Sequence, residues 1–183
     1  LKQEIIILRY GHREVRDYRV TSHCALVSRA LGAKEIIICG EKDESSKKSV
    51  DDVTSRWGGP FKVSFSEDWK KSYKQLKKKG FVFVHLTMYG VGVEKKEKEI
   101  KKNKKIAIIV GSQKVERDVY EKADYNVSIT GQPHSEIAAL AVFLDRIQEG
   151  KELNKKFEKA KVMIEGQENG KKVISLKTVG GRK

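Results

Sequence analysis

The chain has 183 residues, enough to bury the core of one α/β domain with a small appendage. It is 38% hydrophobic and 35% charged, and its apolar runs, such as Ile5-Ile6-Ile7-Leu8, are strand-sized and far short of the roughly 20 residues a membrane-spanning helix needs. The net charge of +14, from 39 Lys and Arg against 25 Asp and Glu, makes nucleic acid the first partner to expect, although a Lys-coated heat-stable surface gives the same balance and both can hold.

In chain order, residues 4–8 (EIIIL) read as a short apolar strand. No basic segment followed by an apolar core precedes it, so the expectation is a cytoplasmic protein without a signal peptide. Arg9 through Arg19 read as a basic loop with no apolar period. Thr21 or Ser22 can cap a helix running to Leu31, with Gly32 as its stop. Residues 35–39 form the next strand, and Ser45 or Ser46 can start a polar helix carrying Val50, Val53 and Trp57 at helical spacing until Gly58-Gly59-Pro60 breaks it. Residues 61–65 alternate like an edge strand. Asp68 caps an amphipathic helix with Trp69, Tyr73 and Leu76 on one face, ended by Gly80.

Residues 81–86 (FVFVHL) and 106–110 (IAIIV) are continuous apolar strands, as at the centre of a parallel sheet. A charged segment, 94–105, separates them. A short helix over 116–122 leads to the stretch 124–147, which reads as strand, polar turn and long apolar helix. After Gly150 a Lys-rich helical piece covers 151–160, followed by β-like runs at 161–165 and 172–179 with an Asn-Gly turn signal between them. The expected architecture is therefore α/β, a mostly parallel sheet of about six strands flanked by helices, over residues 1–160. A C-terminal β-hairpin appendage over 161–183 completes it.

Three loops follow apolar strands in the C-terminal half: 86–92, 111–115 and 129–136. In a parallel sheet they emerge at one edge, where small molecules bind. None is a GxxxxGK[ST] or GxGxxG phosphate cradle, which disfavours ATP and NAD. Ser135 has no GxSxG elbow, so His134 and Ser135 do not read as a catalytic pair. Glu136 sits where a helix N-terminus favours negative charge. Cys24 and Cys39 belong to no CxxC or Cys/His cluster, which argues against a metal; buried free thiols are the default, with a disulfide left open. Arg9, His12, Arg13, Arg16 and Arg19 stand out from a Lys-rich background, and Arg suits bidentate recognition of phosphate. Arg29 is a charge in an otherwise apolar helix and needs a partner or a site.

The segments LRYGHREVRDYRVTSHCALVSRALGA, HLTMYG at 85–90, VGSQKV at 110–115 and ADYNVSITGQPHSEIAALAVFLD at 123–145 together resemble the archaeal tRNA cytidine-56 2′-O-methyltransferases, of the SPOUT superfamily of knotted methyltransferases. The resemblance covers nearly the whole chain. It implies a deep trefoil knot in the C-terminal half, a homodimer, and S-adenosyl-L-methionine as cofactor. The cofactor loops would fall on Leu86, on Gly111, Ser112, Gln113, Lys114 and Val115, and on Ile129, Thr130, Gly131, Gln132, Pro133, His134, Ser135 and Glu136. The superfamily's Asn-x5-Arg pattern would place Arg29 as the catalytic arginine and His23 at the Asn position. Gln113 and Gly131 stand where Glu and Asn are expected. The tRNA would be gripped by Arg9, His12, Arg13, Arg16, Arg19 and His23. The competing readings are a non-catalytic RNA-binding α/β module and an α/β enzyme with another nucleotide cofactor.

Overall fold

The computed structural model describes residues 3–176. The apolar runs form six parallel strands, β1 (Glu4–His12), β2 (Glu35–Gly40), β3 (Lys62–Ser66), β4 (Val82–Gly92), β5 (Lys105–Gly111) and β6 (Tyr125–Ser128). Their order across the sheet is β3-β2-β1-β5-β4-β6. The most apolar strands, β1, β5 and β4, occupy the middle, where both faces are covered.

Side chains alternate along β1 between two cores. Ile5 and Ile7 join a large cluster under α1 (Glu14–Ala30), α2 (Glu44–Trp57), α4 (Val93–Ile100) and α6 (Glu136–Gln148). Ile6, Leu8 and Tyr10 join a smaller one under α3 (Trp69–Lys78) and α5 (Arg117–Lys122). The smaller core is rich in rings: Tyr10, Trp69, Tyr73 and Phe83 meet in succession at 4.5–5.9 Å between centroids. Cys24 and Cys39 are buried free thiols, which burial pushes to about 11 and about 12 respectively.

Several boundaries differ from expectation. β1 continues through the supposed basic loop to His12, and α1 starts at Glu14 rather than at Thr21 or Ser22. No side chain caps α1; instead the Asp17 carboxylate accepts from the Arg13 backbone N–H at 3.0 Å. Asp43 caps α2 by accepting from the Ser46 N–H. Asp68 caps α3 as expected, accepting from the Lys70 N–H. The charged segment after β4 is helical from Val93 to Ile100. The Lys-rich piece after Gly150 is only a 3-10 turn, Lys151–Asn154, because Lys155 already turns extended. β7 (Val162–Glu165) and β8 (Lys172–Ser175) form the antiparallel hairpin. Positions 177–183 of the expected appendage lie outside the described residues.

β4 and β6 pair in an unusual way. Leu86 and Val91 both register with Val127, so residues 87–90 leave the ladder and return to it. Among the described residues no helix is long and apolar enough to cross a membrane.

Candidate active site

Parallel strands place every strand-to-helix loop at one sheet edge, and three of these loops enclose a cavity of about 760 Å³. Leu86, Thr87, Met88 and Tyr89 come from β4 and the excursion after Leu86. Gly111, Gln113, Lys114 and Val115 come from the loop after β5, and Ile129, Pro133, His134 and Glu136 from the loop between β6 and α6. The volume suits a small-molecule cofactor.

The loop after β5 is tightly wound. A Cβ on Gly111 would stand 2.5 Å from the Val115 Cγ2, so a larger residue there would have to displace the Val115 side chain. Ser112 does not line the cavity; its N–H and hydroxyl both donate to the Tyr10 carbonyl at 2.9 Å and fasten the loop to β1. In the third loop, Thr130, Gly131, Gln132 and Ser135 stand outside the lining. The Thr130 hydroxyl oxygen accepts from the Gln132 N–H, and the Ser135 hydroxyl oxygen accepts from the Ile137 N–H as the α6 cap. A Cβ on Gly131 would meet nothing within 4 Å, so the backbone there leaves room for a side chain to start.

The cavity also takes residues that were not singled out as ligands. His85 ends the apolar run of β4 and is buried. Its Nδ1 donates to Asn126 Oδ1 at 2.9 Å, because Asn126 Nδ2 is committed to the Tyr120 carbonyl. Burial pushes its imidazole down, and the Asn126 hydrogen bond pulls the other way without prevailing. The Tyr120 ring packs edge-on to His85 at 4.6 Å, and its hydroxyl lies 3.1 Å from the Thr87 hydroxyl. A polar residue closing an otherwise apolar strand was the available signal for His85; Tyr120 and Arg117, brought in by α5, carried none.

Two of the expected RNA-gripping residues are buried instead. Arg9 has 0% exposure: its Nε donates to Thr21 Oγ1 at 3.2 Å, Nη1 to the Gly111 carbonyl at 2.9 Å and Nη2 to Glu136 Oε1 at 3.1 Å. His12 is enclosed with Thr21 and Asp43, its Nδ1 2.9 Å from the Thr21 hydroxyl and its Nε2 3.5 Å from Asp43 Oδ2. Burial pushes the His12 imidazole down. Burial also pushes Asp43 up, but hydrogen bonds from Ser46 and Ser45 outweigh it and hold the carboxyl below its ordinary range. Both side chains are enclosed in the fold and present no donor at its surface. Arg13 is half-buried beside Asp17, whereas Arg16, Arg19 and His23 are exposed on α1.

Arg29 stands apart from the cavity of its own chain. α1 runs away from the cavity edge, and the fifteen steps from Glu14 to Arg29 rise about 22 Å along the helix. The chain just beyond it returns to the opposite sheet edge, where the Lys34 N–H donates to the Ile5 carbonyl. There Arg29 Nη2 donates to the Gly58 carbonyl and the guanidinium lies 4.8 Å from the Phe157 ring. Burial pushes its guanidinium down. Within this chain it ties the α2 end to the C-terminal segment and does not reach the cavity.

Among the described residues no cluster of three or more His, Cys, Asp or Glu is placed to hold a metal ion. The cavity fits S-adenosyl-L-methionine instead. Its walls are apolar at Leu86, Val110, Val115, Val127, Ile129 and Ala139. Glu136 is the one carboxylate lining it, available to a sulfonium or ammonium, and Lys114 and Arg117 are available to a carboxylate.

The fold is shared with SpoU/TrmH methyltransferases of known structure. A SpoU methyltransferase, AviRb from Streptomyces viridochromogenes in complex with AdoMet, superposes with a TM-score of 0.58 at 13% identity, over 81% of this chain and 57% of that one. The A. aeolicus TrmH/SpoU tRNA modifying enzyme gives 0.61 at 16% identity, over 84% and 77%. The chain thus spans little more than half of the AviRb structure, and at these identities the likeness is one of fold.

Sequence narrows the class. A family described as tRNA ribose 2′-O-methyltransferase, aTrm56, matches residues 57–174. A tRNA (cytidine(56)-2′-O)-methyltransferase of Thermococcus kodakarensis is 51% identical over 180 residues, 96% of this chain and 99% of the relative. One of Methanopyrus kandleri is 48% identical over 176 residues, 96% and 99%. The chain belongs to this tRNA ribose 2′-O-methyltransferase family.

Proposed function

We infer that the chain methylates the ribose 2′-oxygen of cytidine 56 in tRNA, with S-adenosyl-L-methionine bound in the cavity formed by the three loops. The observation that carries the reading is the convergence of Leu86–Tyr89, Gly111–Val115 and Ile129–Glu136 on one cavity in a chain half identical to enzymes named for that reaction. When bound, the cofactor supplies a methyl carbon activated by the adjoining sulfonium. The chain's task is to hold and orient the two reactants and to exclude water. The apolar walls at Leu86, Val115 and Ile129 would enclose the methyl donor. The Glu136 carboxylate complements positive charge.

The arrangement of the exposed groups supports further parts of this reading. Arg16, Arg19 and His23 lie on α1, whose first turn starts at the cavity edge, and they give tRNA a basic approach. A homodimer would cover exposed apolar side chains: Val15 on α1 (91% exposed), Tyr89 (80%) and Val142 on α6. In this reading the chain would thread as a trefoil knot in the C-terminal half, and the excursion of residues 87–90 from the β4–β6 ladder supports it.

The deciding experiment is methyl transfer to an unmodified tRNA transcript, followed by mapping of the modified nucleotide. Incorporation at the cytidine-56 ribose is expected. A non-catalytic RNA-binding module would bind the transcript but neither bind S-adenosyl-L-methionine in calorimetry nor transfer a methyl. Light scattering is expected to give twice the chain mass of 20.8 kDa; a monomer at micromolar concentration would remove the dimer.

A further inference from the structure

We propose that Arg9 is a positioning residue for the methyl-donor cavity, a buried guanidinium that sets two cofactor loops against each other and aims the Glu136 carboxylate. The inference rests on the reading that this cavity holds S-adenosyl-L-methionine.

Arg9 is the largest fully buried side chain in the described structure. It follows four apolar residues, Ile5 to Leu8, on a central strand, where an aliphatic side chain would fill the space without the penalty of burying a charge. What an aliphatic residue cannot do is make directional bonds. The three that Arg9 makes reach three separate elements: α1 through Thr21, the loop after β5 through the Gly111 carbonyl, and the start of α6 through Glu136. Gly111 and Glu136 both line the cavity. A planar guanidinium offers its donors in a fixed fork, so fastening one pair of partners fixes the angle of the next.

The geometry is over-determined on the β1 side. Tyr10, the next residue, accepts both bonds from Ser112, so consecutive residues of β1 grip consecutive residues of the loop. Thr21 is itself buried and lies against His12, which leaves it no freedom to follow a shifted guanidinium. Glu136 differs from these partners in being partly open, with its side chain 36% exposed. Arg9 takes its Oε1, which orients the carboxylate as a whole and keeps it at the cavity wall. Burial and bonding together leave Arg9 no surface to present to RNA; its effect passes through the two loops.

The test uses the full chain and measures calorimetric affinity for S-adenosyl-L-methionine and S-adenosylhomocysteine, tRNA affinity, and Tm. Arg9→Met is expected to weaken cofactor binding at least tenfold, while tRNA affinity stays within about twofold. In turnover KM for the cofactor rises and KM for tRNA does not. Thr21→Val removes the α1 anchor without touching either loop and is expected to weaken cofactor binding by about threefold. Arg9→Lys, which keeps the charge but not the fork, should fall between wild type and Arg9→Met. If Arg9→Met does not fold, Arg9→Lys and Thr21→Val decide the matter by the same readouts. Folded variants that bind cofactor as wild type does, with only Tm lowered, overturn the positioning role. Loss of tRNA affinity with cofactor affinity unchanged overturns it in favour of RNA contact. If the wild-type chain binds neither cofactor nor product, it is the assignment of the cavity that fails.

Discussion

Gly90 crosses the Asn126–Val127 peptide so closely that a Cβ at position 90 would stand 2.5 Å from the Val127 nitrogen and 2.6 Å from the Asn126 carbonyl. The obstacle is backbone on a buried strand, which has no rotamer to yield. Gly90→Ala is therefore expected to cost about 1–3 kcal/mol, as overpacking does elsewhere. It should also disturb the neighbouring Leu86–Tyr89 segment and weaken cofactor binding. Denaturant unfolding and calorimetry on the same preparation check both effects. An alanine variant with wild-type stability would show that the excursion has room to shift.

Arg29 lies where a structural role and the catalytic role implied by resemblance give different outcomes. Its partners are the Gly58 carbonyl and the Phe157 ring, both remote from the cavity. Arg29→Ala should lower stability by about 2–3 kcal/mol, the scale of a lost hydrogen bond to a charged group. Activity should then follow the folded fraction, with cofactor affinity unchanged. A variant that is fully folded and binds both substrates but transfers no methyl would restore the catalytic assignment.

The contrast between Arg9 and the three cavity loops shows what the chain discloses before it is folded. The alternation of apolar strands with polar or amphipathic helices is local, and so are the turn residues at strand ends. Their meeting at one edge follows from parallel pairing alone. The fate of Arg9 is not local. β1 runs four residues beyond its apolar stretch because the buried polar groups there find partners far away in the chain, Gly111 and Glu136 being 102 and 127 residues distant. An arginine after an apolar run reads as surface unless those partners are known. The same ignorance moved the start of α1 from Glu14 to Thr21 or Ser22, and so hid how far Arg29 lies from the edge. Tyr120 enters the cavity only because α5 packs beside β4, which no spacing in the sequence announces.

Arg16 and Arg19 remain as the exposed arginines at the start of α1. The Arg16 side chain is 69% exposed, with a carboxylate no nearer than 4.0 Å, and Arg19 lies over the Tyr18 ring. Replacing both by Ala should weaken tRNA binding by about tenfold at low salt. The slope of log affinity against log salt should become shallower by roughly 0.7–0.9 for each phosphate contact removed. Filter binding across a salt series measures this, and an unchanged slope would place the tRNA on another face. Cofactor affinity should not move in this variant, which separates these residues from Arg9.

Two imidazoles link stability to pH. Burial pushes both His12 and His85 below the ordinary value of 6.5, so each is neutral in the folded chain near neutrality. Once unfolded, each takes up a proton as the pH falls through that ordinary value. The unfolded state then binds more protons, so the contribution is fully present above about pH 6.5 and declines as pH falls toward the depressed folded values. The slope reaches at most about 1.4 kcal/mol per pH unit for each histidine. Asp43, held below its ordinary carboxyl range, also loses its contribution on acidification, but only below that window. Denaturant titrations between about pH 7.5 and about pH 5.5 should therefore show falling stability. His85→Phe keeps a ring against Tyr120 and should remove close to half of that decline. If the decline is the same in wild type and variant, His85 is not buried in its neutral form.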